Sequence, residues 1–228
     1  MILLVEVLLF STSGVFLMLL FEIGSYGDVR RLRSSESGKE LYNTGISATI
    51  FNHLVYGPIT YYLTTTICID DDQSRSLRQQ ILSVVVFLFI QSSLFTVCHY
   101  LMHTRYLYRF HRFHHKYNTI VLPSSGSAVN SIEFLLAYML PIFISTKVAS
   151  CDKTSAVIAV TIVITFNLTL HTPALEEPFA RYMPWIFVST GDHLVHHSLL
   201  TCHYSAPIFN FDQVYETFRR RVASSSRE

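Results

Sequence analysis

Charge is what this sequence has least of. Only 14% of its 228 residues are Asp, Glu, Lys or Arg, against about 25% in an ordinary soluble domain, and the formal net charge is +1. A balance so near zero leaves no basic stripe for nucleic acid. The one dense basic run, Arg219-Arg220-Arg221, sits where a tail would meet anionic headgroups. Four cysteines (Cys68, Cys98, Cys151 and Cys202) form no C-x-x-C pair, which argues against a zinc knuckle or a thioredoxin-like redox site and leaves them as buried thiols. The chain also lacks a P-loop, a dinucleotide fingerprint and any internal repeat, so it has no recognisable nucleotide site of its own.

Apolar residues are what it has instead: 50% of the chain, with a mean hydropathy of +0.35, too much for a soluble domain. The pattern predicts an all-α, polytopic membrane bundle with five apolar segments, at 2–21, 44–69, 81–97, 132–148 and 155–170. The first carries Glu6 but no basic leader, so it reads as a retained anchor helix. The second is looser and contains His53 and Pro58; a lone intramembrane histidine is more often a hydrogen-bonded interior group than a ligand. The last two reach only about 25 Å at 1.5 Å per residue, so they cross with local thinning or dip and return. Either way both ends of that hairpin emerge on one side. With the amino terminus outside, only Arg75, Arg78, Lys147 and Lys153 fall on the outer side and every other Lys and Arg lies inside. That asymmetry places the clustered histidines in the cytoplasm.

Those histidines are the conspicuous feature. Nine of eleven fall in two windows: His99, His103, His111, His114 and His115, then His193, His196, His197 and His203. A helix returns to one face at i+3 and i+4, so H-x-x-x-H and H-x-x-H-H are each expected to aim their imidazoles at one point. Imidazole alone does not choose among zinc, copper, iron and nickel, but so many ligands exceed what one tetrahedral metal uses and fit two ions. Neutral rings leave the metal charge uncompensated, which calls for a bridging oxygen and for carboxylates that orient the rings through their other nitrogen. Asp192, Glu133, Asp212 and Glu176 are in the right neighbourhoods, and Asp192, directly before His193, is the favoured one.

The stretch HYLMHTRYLYRFHRFHH, residues 99–115, resembles the signature of the fatty acid hydroxylase and sterol desaturase superfamily. The short gap between His103 and His111 separates it from the membrane acyl-CoA desaturases. The resemblance runs over roughly residues 80 to 220, through Pro123, through His171 as the histidine closing a membrane segment, through a third box of His193, His196 and His197, and to Tyr204 and Asp212. The chain departs from it in three places: Asn130-Ser131-Ile132-Glu133 keeps the acid of His-Pro-x-Glu but loses the histidine, His203 stands where asparagine is usual, and Phe211 and Glu216 replace a terminal Trp and Gly.

The resemblance implies a membrane di-iron oxygenase with the histidines of the three boxes and His171 as ligands. Asn130, His203, Asp192 and Glu133 are secondary candidates. It implies a catalytic unit at 79–218, preceded by membrane segments and loops at 1–78 and followed by a basic polar tail at 219–228. Electrons are expected from NAD(P)H through cytochrome b5 or a similar carrier. The substrate is expected to be a sterol, slightly preferred, or a fatty-acyl lipid that is hydroxylated or desaturated in lipid biosynthesis at the endoplasmic reticulum. Two other readings stand beside it. An inactive lipid-binding relative would hold no metal, and a metal transporter would line its membrane segments with ionisable residues at mid-depth.

Overall fold

The computed structural model describes residues 2–69 and 75–225, with side chains from Val5 to Arg219 outside that gap. The basic run beyond Arg219 and Arg227 therefore lies outside the described side chains. The described chain is helical and contains no strand, only a β-bridge between Phe187 and Phe209. In order, the helices are α1 (Ile2–Gly24), α2 (Tyr26–Leu32), α3 (Glu36–Phe51), α4 (Gly57–Leu63), α5 (Leu77–Met102), α6 (Tyr108–His111), α7 (Ser131–Glu133), α8 (Leu140–Val148), α9 (Lys153–Leu170), α10 (Glu176–Tyr182), α11 (Thr190–Leu199) and α12 (Phe211–Ser225).

Among the described residues, four stretches are long and apolar enough to cross a membrane: Val5–Gly24, Leu77–Met102, Ser131–Val148 and Lys153–Leu170. The expected segment at 44–69 is not among them. It lies in a helical run that π turns break at Asn52–Tyr56 and Thr64–Cys68. Two of the three π turns directly precede a proline-bearing helix, before Pro58 in α4 and before Pro141 in α8. A proline cannot donate to the carbonyl four residues back and its ring pushes that carbonyl away, so the ladder widens upstream. Despite the breaks, the run from α3 to Cys68 extends through the bundle: the Tyr117 hydroxyl donates to the Leu41 carbonyl near one end and the Cys68 thiol to the Phe143 carbonyl near the other.

Local signals set the ends of the long helices. Ser76 and Gln79 cap α5 reciprocally, satisfying two donors that a helix start leaves open. Asp152 accepts from the Ser155 N–H at 2.8 Å to start α9, and Ser189 from the Asp192 N–H at 3.0 Å to start α11. Leu200, at φ 64°, stops α11. The bundle core is a cluster around Phe87, Ile142, Ala159, Val160 and Ile208, while Leu9, Phe16, Leu82, Phe89 and Val97 stay exposed, as lipid-facing positions do.

Polar contacts mark the two ends. At one, Lys153 pairs with Glu6 at 2.5 Å and Gln80 donates to Asp152 at 2.8 Å. At the other, the buried Glu22 accepts from the Ser124 N–H and hydroxyl at 3.1 and 3.0 Å. Cys68 and Cys151 are buried towards the first end; Cys98 and Cys202 are half-buried. Since α5 and α9 both finish at the Glu22 end, their terminal histidines arrive there together.

Candidate metal centre

Nine histidines meet at that end in two groups. His99, His103, His111, His115 and His196 form one; His114, His171, His193 and His197 form the other; within each, the ligand nitrogens lie within 4.8 Å of one another. All are buried except His103, which is half-buried. The groups abut, with ring centroids 4.9 Å apart for His115 and His197 and 5.2 Å for His114 and His115.

The first box converges as its spacing predicted, His99 and His103 joining one group, but the second and third boxes do not each converge on one point. His111 and His115 join the first group and the intervening His114 the second; His193 and His197 join the second and His196 the first. Neighbours on a helix point about 100° apart, so each His-His pair divides between the two groups. The second box also spans a short helix and a 3-10 turn (His114–Lys116) instead of one long helix. His99 lies in the last turn of α5, His103 caps it, and His171 caps α9.

Main-chain carbonyls fix the rings. Nδ1–H of His99 donates to the Tyr204 carbonyl at 2.8 Å, His114 to Ser125 at 2.9 Å, His171 to Asn167 at 2.7 Å and His196 to Cys202 at 2.7 Å. A carbonyl only accepts, so in these four neutral rings the proton is on Nδ1 and Nε2 presents a lone pair. Nε2 of His196 is buried with no hydrogen-bond partner. Elsewhere Nε2 atoms face each other at 2.8 Å (His111 and His115), 2.9 Å (His171 and His193) and 3.2 Å (His99 and His111). His99 and His111 both carry their proton on Nδ1, so their facing Nε2 lone pairs repel unless a cation lies between them. Metal–nitrogen bonds of about 2.1 Å put opposite ligands about 4.2 Å apart, close to the observed spread, so the residues present fit two metal ions.

Burial, reinforced by neighbouring imidazoles, pushes the histidine pKa values down, to about 4 for His103, His171 and His196 and about 2 for His115. His111, His114, His193 and His197 are lowered well below the ordinary value for the same reasons. The rings are therefore neutral, ligand-competent bases at pH 7.

Of the acids, Glu133 touches a clustered ring: its carboxylate accepts from His111 Nδ1 at 2.6 Å, and its second oxygen is buried and unpartnered. Asp192 instead accepts from Asn210 at 3.1 Å and lies 3.7 Å from His203. Asp212 exchanges hydrogen bonds with Ser205. Asn130 is exposed and caps α7 by accepting from the Ile132 N–H, and His203 lies outside both groups. Gly126 permits the crowding around His171: a Cβ there would come 2.9 Å from His171 Nδ1 and 2.8 Å from Asn167 Nδ2.

A largely apolar cavity, open at its mouth, extends towards this end. On α9 its wall runs from Lys153 to Leu168, about 22 Å of helix. At the histidine end its wall includes Phe95 and Tyr138, which pack edge to face at 5.3 Å, Phe95 lying 5.5 Å from the His99 ring. His53 lines it and meets the Ser127 hydroxyl at 3.2 Å.

An all-helical bundle with membrane-length helices and two abutting imidazole pockets defines a class, the polytopic membrane metalloproteins. The sequence matches the fatty acid hydroxylase family over residues 84–217, more than half of the chain, and the chain belongs to that family, within the fatty acid hydroxylase/sterol desaturase superfamily. Membership implies an iron-dependent oxygenase of the lipid hydroxylase or desaturase type. No curated protein and no solved structure matched the chain.

Proposed function

We propose that this protein is a membrane di-iron oxygenase that hydroxylates, or desaturates, a sterol or fatty-acyl lipid, with sterol slightly preferred. The observation that carries the reading is the pair of abutting ligand groups, five and four imidazoles strong, at the end of the bundle that the cavity reaches. His99, His103, His111, His115 and His196 hold one iron, and His114, His171, His193 and His197 the other. Two bound irons supply the redox capacity to reduce dioxygen, which zinc lacks.

The protein's own groups orient and exclude. The carbonyls of Tyr204, Ser125, Asn167 and Cys202 hold the rings with Nε2 inward, and Glu133 fixes His111 and brings negative charge beside a neutral ligand set. The cavity receives the apolar body of the lipid and keeps water from it. Hydroxylation then balances as R–H + O2 + 2e⁻ + 2H⁺ giving R–OH + H2O. Because the chain carries no nucleotide motif, the electrons come from NAD(P)H through a cytochrome b5-type carrier. Arg105, Arg109, Arg112 and Lys116 surround the second box, supporting a cytoplasmic orientation in the endoplasmic reticulum.

Iron-loaded protein given reduced carrier, a sterol or acyl substrate and ¹⁸O-labelled dioxygen is expected to place one labelled atom in the lipid, or in water where a double bond forms. Turnover under strict anaerobiosis, or equal turnover by zinc-loaded protein, overturns the reading.

A further inference from the structure

The cavity is apolar along most of its length, yet two of its polar groups are buried without partners. Gln91 is 1% exposed and its Oε1 has no hydrogen bond; Thr64 is 6% exposed and its Oγ1 has none. Several other polar groups on the wall are satisfied within the protein: Ser11 by the Val7 carbonyl, Thr65 by Tyr61, and Asn167 by Gly126. Ser92, Ser145 and Ser155 are also unpartnered but do not line the cavity. In hydrocarbon surroundings an unmade hydrogen bond costs far more than in water. Two such groups on one cavity wall leave a polar position open for a ligand.

Gln91, Phe95 and His99 follow at i, i+4 and i+8 on α5, so they share a face. Eight residues of helix place Gln91 about 12 Å deeper than His99. A carboxamide offers both an acceptor and donors, and a threonine hydroxyl offers both roles. The ligand group that complements either one, in either amide orientation, is another hydroxyl.

We infer that the cavity selects a lipid bearing a hydroxyl group on an otherwise apolar skeleton, recognised by Gln91, about 12 Å of helix from His99, and by Thr64 on the wall of the same cavity. The inference rests on the oxygenase substrate entering this cavity, and it names two specificity-determining residues. The hydroxyl belongs either to a sterol ring or to an acyl chain, and both sources share the same chemistry.

Binding tests this separately from turnover. Protein in nanodiscs is titrated with two matched pairs: cholesterol against cholestane, and 12-hydroxystearate against stearate. The hydroxylated member of at least one pair is expected to bind about tenfold tighter, the scale of one buried hydrogen bond, and the pair that shows it identifies the source. Gln91→Met and Thr64→Val should each reduce that preference while leaving affinity for the deoxy member unchanged, which also certifies that the variants fold. If Gln91→Met binds neither member, the nearly isosteric Thr64→Val decides alone. Equal binding within both pairs by the unsubstituted protein overturns the inference, as does a preference that survives both substitutions. A hydroxyl preference without oxygen insertion would leave the inference standing and remove the oxygenase reading.

Discussion

Replacing Glu133 by Gln separates a charge effect from a packing effect. The side chain is 2% exposed, its one partner is His111 Nδ1 at 2.6 Å, and an amide of the same shape can still accept that hydrogen bond. What disappears is the negative charge next to a ligand ring. Loss of such a partner typically lowers metal affinity 10- to 100-fold, about 1.4–2.7 kcal/mol. At a fixed iron concentration the iron-bound protein should lose a similar increment of ligand-linked stability. Metal-free protein should behave oppositely: a buried carboxylate with one oxygen left unpartnered is costly, so Glu133→Gln should hold or raise the melting temperature of the apo form. Thermal unfolding of apo and iron-loaded protein, alongside iron titration, reads both signs, with Asp192→Asn as the control whose iron affinity stays unchanged. Equal destabilisation of the apo and loaded forms would refute the reasoning, as would an Asp192→Asn protein that loses iron as readily.

His196→Ala and His197→Ala, though adjacent, should each lower iron content from two towards one while perturbing different ions, and Mössbauer spectra that are identical for the two variants would contradict the grouping. Gly126→Ala forces a Cβ into contacts of 2.8 and 2.9 Å with Asn167 and His171; overpacking of about 1–3 kcal/mol and loss of iron from the second group are expected, and a fully loaded, equally stable variant would count against it. The depressed histidine pKa values set a pH dependence: the folded rings protonate near 4 or below and the unfolded ones near 6.5. Apo protein should therefore keep full stability above pH 6.5 and lose it as pH falls towards 4, with iron delaying that loss; a melting temperature flat across this window would exclude the assignment.

The sequence made the architecture and the ligand pool legible because both repeat: apolar runs of membrane length, and histidines at helical spacing. It misplaced the grouping, since periodicity along a single helix says nothing of which partner the neighbouring ring at i+1 meets across the bundle. It also favoured Asp192 for its position beside His193, whereas Glu133 reaches His111 from α7, 22 residues away. The carbonyls of Tyr204, Ser125, Asn167 and Cys202 could not be foreseen at all, because every residue has one and only the fold decides which is left to accept. Gln91 and Thr64 drew no notice for a related reason: a polar residue in an apolar run becomes informative only when its neighbours prove to be paired and it does not.

The division of each His-His pair also governs when the centre can come into being. Each pocket draws on the 111–115 stretch and on α11, the first adding the end of α5 and the second the end of α9. Neither pocket can close on a partial chain, for His193, His196 and His197 lie about eighty residues or more beyond the second box. During synthesis the earlier histidines therefore wait in an incomplete site, and the two irons proposed above would be tightly bound only once α11 docks. On that reading iron acquisition would report finished assembly: a chain whose last helices misdock would be empty in both pockets and not half-loaded.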